Sequence, residues 1–138
     1  MNVSDLMIGD WVQIQYRNKK VKVTGIHDGM IDTNAISPIR DDEFEPIPLT
    51  AEILEVNGFD KVNETARKVV YDMEFEYCAK YLTITLLTAI DRVDISWSAI
   101  TYPEGQSRLD LSIWHCKVYQ LQHALRLCGI DKEITVNK

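Results

Sequence analysis

Residues 93–99, VDISWSA, alternate Val93, Ile95, Trp97 and Ala99 with Asp94, Ser96 and Ser98. Successive side chains of a strand point to opposite faces, so this period of two predicts a strand with one apolar and one polar face. The same pattern recurs on either side. In VVYDMEFEY (69–77), Tyr71, Met73, Phe75 and Tyr77 oppose Asp72, Glu74 and Glu76. In YLTITLL (81–87), Leu82, Ile84 and Leu86 oppose Thr83 and Thr85, and RLDLSIW (108–114) sets Leu109, Leu111 and Ile113 on one side. Four such segments joined by short links predict a four-stranded antiparallel meander with one wet face.

Two helices are expected to flank it. In PIPLTAEILEVNGF (46–59), Thr50 suits the N-cap and Leu49 with Leu54 a hydrophobic staple. Glu52 falls in the first turn, where the helix dipole favours an anion. Gly58 suits the left-handed exit, with Phe59 folding back on Leu54. Over roughly 116–128, Val118, Leu121, Leu125 and Cys128 recur at helical spacing, and Gly129-Ile130 repeats the glycine stop. EITV (133–136) reads as a short final strand.

Ahead of the first helix, DWVQIQY and KVKVTGI alternate again, with Val21 and Val23 inward and Lys20, Lys22 and Thr24 outward. Asp28-Gly29 is a two-residue hairpin signal, and MIDTN is the returning strand. The expected architecture is therefore α+β. Residues 1–40 form a small SH3-like β unit, not independently stable, packed on the rest. Residues 41–49 form a proline-rich acidic connector running over the surface. Residues 50–138 form an α-β-β-β-β-α domain.

The length of 138 residues fits one domain, or one with a small appendage, and 46% apolar with 26% charged residues is ordinary for a globular chain. No apolar run is long enough for a membrane helix, and residues 1–11 lack the basic start and apolar run of a secretory signal. Cys78, Cys116 and Cys128 show no paired spacing, which points to reduced thiols in a cytoplasmic protein. The net charge is −6, and residues 41–77 hold eleven of the 21 acidic groups. An acidic chain is poorly suited to nonspecific DNA binding, which requires neutralising phosphates.

The candidate chemistry is sparse. His115-Cys116 and His123 tempt a metal reading, but residues eight apart on a helix lie about 12 Å apart, too far to share one ion. No metal and no cofactor is expected. The acidic group Asp41, Asp42, Glu43 and Glu45 lacks the spacing of a calcium loop. There is no phosphate-binding glycine loop, dinucleotide fingerprint or serine elbow. The basic hairpin of Tyr16, Arg17, Lys19, Lys20 and Lys22 is the segment suited to nucleic acid, with Trp11 also placed for stacking. Trp11, Tyr102 and Trp114 are the candidate residues for a protein interface, where aromatic side chains are enriched.

Taken together, LMIGDWV, PIPLTAEILEVNGF and VYQLQHAL resemble the signature segments of an uncharacterised family of small proteins from Bacteroidetes and their phages and mobile elements. Met7 and Asp10 stand where that family commonly has Arg and Asn. Cys116-Lys117-Val118-Tyr119 occupies its KYVH segment, so a histidine often found there is missing. The resemblance brings a genetic setting and no activity, substrate or cofactor. The expected function is a noncatalytic binding or adaptor protein acting through protein–protein contacts or self-association, without a membrane. The alternatives are nucleic-acid binding by the 16–22 hairpin and a small enzyme using a Cys/His site such as Cys116 with His115.

Overall fold

The computed structural model describes residues 3–15, 19–35, 38–40, 42–75, 80–101, 105–130 and 132–136, with backbone alone for 74–75, 80–81, 99–101 and 105–107. The chain is α+β and divides into two compact units. One comprises Met1–Leu49 with Lys117–Lys138, the other Thr50–Cys116.

The first unit holds a five-stranded antiparallel sheet in the order β4-β3-β2-β1-β5. Its strands are β1 (Trp11–Ile14), β2 (Lys19–His27), β3 (Met30–Thr33), β4 (Ile39–Arg40) and β5 (Phe44–Pro46). Asp28 and Gly29, at φ 50° and 72°, make the tight turn that pairs His27 with Met30. Both central residues of that turn need positive φ, which is why the Asp-Gly pair signals it. The nine-residue β2 pairs with β1 over residues 19–22 and with β3 over residues 23–27, the second ladder shifting register between Val23 and Gly25. Val12, Val21, Val23, Ile31 and Phe44 form the centre of the core.

Residues 41–49 do more than connect. Phe44 and Ile47 are buried, and β5 pairs with β1 through Val12–Pro46, Gln13–Glu45 and Ile14–Phe44. Proline is tolerated there because β5 is an edge strand, whose outward side needs no ladder hydrogen bonds. Ile39, also buried, anchors the two-residue β4.

The second helix, α2 (Val118–Leu127), belongs to this unit and not to a 50–138 domain. Its entry is tied down by the Val118 N–H donating to Ile47 O at 2.8 Å and by a bridge between Pro48 and Lys117. At its end, the Ile130 N–H donates to Leu125 O at 2.9 Å and the Gly129 N–H to Arg126 O at 3.0 Å. That pair of bonds is the Schellman closure expected of the glycine stop. Residues 133–136 form no strand. Buried Gln122 takes the place of a strand neighbour: its Nε2 donates to Lys132 O at 2.9 Å and its Oε1 accepts from the Ile134 N–H at 2.7 Å. One side-chain amide thus satisfies the two peptide groups that a ladder would have paired.

The second unit opens with α1 (Ala51–Val56). Thr50 Oγ1 accepts from the Ile53 N–H at 3.3 Å, which caps the first turn. The Phe59 N–H donates to Leu54 O and the Gly58 N–H to Glu55 O, with Gly58 at φ 86°. A five-stranded antiparallel meander follows, where four strands were expected, in the order β10-β9-β8-β7-β6. The strands are β6 (Asp60–Glu64), β7 (Lys68–Phe75), β8 (Lys80–Leu87), β9 (Arg92–Thr101) and β10 (Gly105–Trp114). The additional strand, β6, has all five residues exposed, so it carries no apolar row by which a period of two is recognised. Tyr71, Leu82, Ile84, Val93, Ile95 and Trp97 are buried on one face, while Asp72, Thr83, Thr85, Asp94 and Ser96 lie half-buried on the other.

Candidate interaction surface

The two ends of the meander differ in a way that bears on function. An edge strand exposes unpaired N–H and C=O groups and is a template for another chain unless it is short, charged, bulged or covered. β6 has three of those defences. It is five residues long, carries Asp60, Lys61 and Glu64, and shifts register between Lys61 and Asn63. Lys61 Nζ also donates to Glu64 Oε2 at 3.3 Å, which raises the lysine's pKa through that bond and its charge partner.

β10 is built the other way. It is ten residues long and pairs with β9 residue for residue, from Gly105–Thr101 to Trp114–Arg92, with no shift. It contains no proline and no lysine. β9 is its one neighbour in the strand order of the sheet. The apolar row runs on from Val93, Ile95 and Trp97 to their partners Ile113, Leu111 and Leu109. There burial falls off: the β9 residues are buried and the β10 residues only half-buried. The row continues to the edge, and among the described residues no strand pairs beyond it.

On the opposite face of β10, Arg108, Asp110, Ser112 and Trp114 are exposed. Arg108 Nε donates to Asp110 Oδ2 at 2.9 Å, and that bond, followed by one from Ser96, holds the Asp110 carboxyl below the usual carboxylate range. Trp114 is 56% exposed, with the Arg92 guanidinium 5.4 Å from its ring centre. Arg92 is itself oriented by Asp94, to whose Oδ2 its Nη2 donates at 3.2 Å. A cation held over an indole stiffens the ring at little cost in entropy, which suits an anchor in a binding surface.

The ladder stops one residue beyond Trp114. His115 and Asp91 both adopt left-handed backbone, at φ 52° and 50°, and the His115 N–H donates to Asp91 O at 2.8 Å. Their side chains also meet, His115 Nδ1 lying 2.6 Å from Asp91 Oδ2. Left-handed backbone is uncommon for residues with a side chain, and these two contacts hold it in place. The pair is well exposed and closes the end of the hairpin. Cys116 next to it is buried, which removes it as an accessible nucleophile beside His115.

The other sequence candidates fall elsewhere. Trp11, expected at an interface or in stacking, is buried: β1 lies between β2 and β5, and the residue is 8% exposed. Tyr16, Arg17 and Tyr102 lie outside the described residues. Lys19 is exposed, whereas Lys20 and Lys22 are half-buried on the alternate face of β2. Lys22 Nζ is already engaged by Glu133 at 3.1 Å. The described lysines therefore do not form one free basic patch. Asp72, on the polar face of its strand, sits on β7, which lies between β8 and β6.

One polar cluster of the first unit has no local sequence signal. Asp10, fully buried, accepts at Oδ2 from the Met7 N–H and lies 2.7 Å from His123 Nε2. Its Oδ1 makes no hydrogen bond and faces Arg126 Nη1 at 3.6 Å. Arg126 Nη2 donates to Ile8 O at 3.1 Å, and Tyr119 meets the His123 ring edge-on at 5.4 Å. The cluster ties the segment before β1 to α2. Among the described residues, no group of three or more His, Cys, Asp or Glu side chains is arranged to hold a metal ion. No described helix is long and apolar enough to cross a membrane.

Fold and surface together define a two-unit α+β chain whose second sheet, among the described residues, ends in a short, shifted strand on one side and a long, regular one on the other. No family model, curated protein or solved structure matches it.

Proposed function

We propose that this chain is a noncatalytic protein-binding module that receives an extended segment of its partner along β10, with Trp114 as the anchor. The observation that carries the reading is the asymmetry of one sheet: β6 is short, charged and bulged, and β10 is long, regular and undefended. Main-chain hydrogen bonds to an open edge supply affinity, and side-chain rows on either face supply specificity. We read the first unit as an SH3-like barrel, in which the first strand pairs with both the second and the last and the long second strand serves two ladders. Its role here is that of a scaffold, and the cytoplasmic phage or mobile-element setting belongs to the same reading.

The test compares variants at the two edges. Leu111→Lys places a charge in the open apolar row, and Trp114→Ala removes the anchor. Val62→Lys does the equivalent on β6. Binding to a partner falls more than tenfold for the first two, since a central aromatic anchor contributes about 2 kcal/mol or more. It is unchanged for the third. Equal effects at both edges, or none at β10, defeat the reading.

A further inference from the structure

We infer that the segment received by β10 is β10 of a second copy, paired antiparallel about a two-fold axis through Leu111. This rests on the reading of β10 as a docking edge and names its occupant. A two-fold antiparallel pair sets a strand against its own reverse, so its register is decided by which residues meet themselves and each other.

Centred on Leu111, the pairing puts Leu111 opposite Leu111 and Leu109 opposite Ile113 on both sides of the axis. All three half-buried apolar residues of the row then face apolar partners, which supplies the outer neighbour the row lacks. On the other face Asp110 meets Ser112, and Arg108 meets Trp114. Trp114 already carries the Arg92 guanidinium and Arg108 is held by Asp110, so the register is decided by the apolar row and not by this contact.

Neighbouring registers are worse for stated reasons. Centring on Asp110 sets the two Asp110 carboxylates directly opposite, a destabilising like-charge pair. Centring on Leu109 matches Arg108 with Asp110, which Arg108 already holds within its own strand at 2.9 Å, and leaves Leu111 and Ile113 opposite Ser107 and Gly105. Centring on Ser112 removes Leu109 from the apolar row and sets it against His115. A slip by a single residue pairs the apolar row with the polar one. The strand also adds no net charge to an otherwise acidic chain, since Arg108 and Asp110 are its only charged residues. Three apolar pairs make a small interface, so the association is weak and concentration-dependent.

The full chain is tested by light scattering across a concentration series and by cross-linking with a short bis-maleimide. The wild type serves as background for its own three cysteines. The mass rises toward twice the monomer for the wild type and stays at one for Leu111→Lys. Leu111→Cys cross-links to its mate across the axis. Arg108→Cys does not, because it lies six positions from its own mate along the strands, about 20 Å. Circular dichroism establishes that Leu111→Lys is folded, and if it is not, the cysteine pair decides alone. A dimer that persists in folded Leu111→Lys, or that cross-links as well through position 108 as through 111, overturns the proposal. So does a chain that is monomeric throughout. In that last case, loss of a foreign partner's binding in Leu111→Lys leaves the docking edge standing with a different occupant, and no such loss removes both.

Discussion

Tyr71 lies fully buried on β7, paired with Ile84 on one side and Lys61 on the other, and its hydroxyl has no hydrogen-bond partner among the described residues. A buried hydroxyl without a partner costs about 1–3 kcal/mol against the hydrated unfolded state. Tyr71→Phe removes that group and keeps the ring, so no cavity of consequence opens and only the packing of one oxygen atom is lost. The expected result is a gain of about 1 kcal/mol, a rise of about 3–5 °C in the midpoint for a chain of this size. The gain also depends on pH. Burial, and next the Glu55 carboxylate, push the Tyr71 phenol above its ordinary pKa. Between the unfolded value of about 10 and that higher folded value, the unfolded chain sheds a proton that the folded chain keeps. Wild-type stability is therefore complete below the unfolded pKa and falls as pH rises through the folded one. The variant has no such loss, and groups common to both chains cancel in the difference. Urea unfolding of both proteins at about pH 8 and about pH 11 reads this directly. A variant less stable by about 1 kcal/mol or more means the hydroxyl has a partner. A difference that does not widen at the higher pH refutes the buried-phenol argument.

Three further outcomes are expected. Asp10→Ala strips the Met7 N–H of its acceptor and leaves His123 and Arg126 facing no anion, a loss of about 2–4 kcal/mol by chemical unfolding; Asp10→Asn, which keeps an acceptor, loses roughly half. Gly58→Val forces a branched residue to φ 86° and costs about 1–2 kcal/mol. The nearest atom to a new Cβ is Met73 Cε at 3.9 Å, so the loss is backbone strain, and Gly58→Asn recovers most of it. Asp110 titrates below the ordinary carboxylate range by NMR, and its pKa moves up in Arg108→Ala. Because the folded value is the lower one, its contribution is present above the unfolded pKa and lost as pH falls through the folded one.

What could be read from the sequence follows from what an alternating pattern records. The rows Leu82–Ile84–Leu86 and Val93–Ile95–Trp97 are visible because one face is buried, and the structure buries them. β6 was invisible for the same reason, since none of its residues is buried. Phe44 and Ile47 carried a strand signal that three nearby prolines masked, and the edge position of β5 is what reconciles the two. Asp10 and His123 are 113 positions apart, and nothing near either marks the other. Gln122 looks like a polar residue on a helix, yet it holds residues 132–134 through hydrogen bonds to two peptide groups that only the tertiary fold brings to it.

The open edge was the least legible feature of all, because alternation describes the two faces of a strand and is silent about its sides. β9 and β10 read alike as sequences; one is enclosed and the other ends the sheet. The composition at the sides is nevertheless informative once the order is known. Asp60-Lys61-Val62-Asn63-Glu64 concentrates charge and a bulge where pairing must stop. Gly105–Trp114 spends its two charged residues on one internal pair and its indole on Arg92, while its apolar row runs half-buried to the edge. Had selection acted only on solubility, both sides of one sheet would carry the same protection. On the function proposed above, a long, regular edge opposite a short, shifted one is a strand kept for pairing. In the proposed dimer it is the near-palindromic apolar row that matches β10 to a second copy.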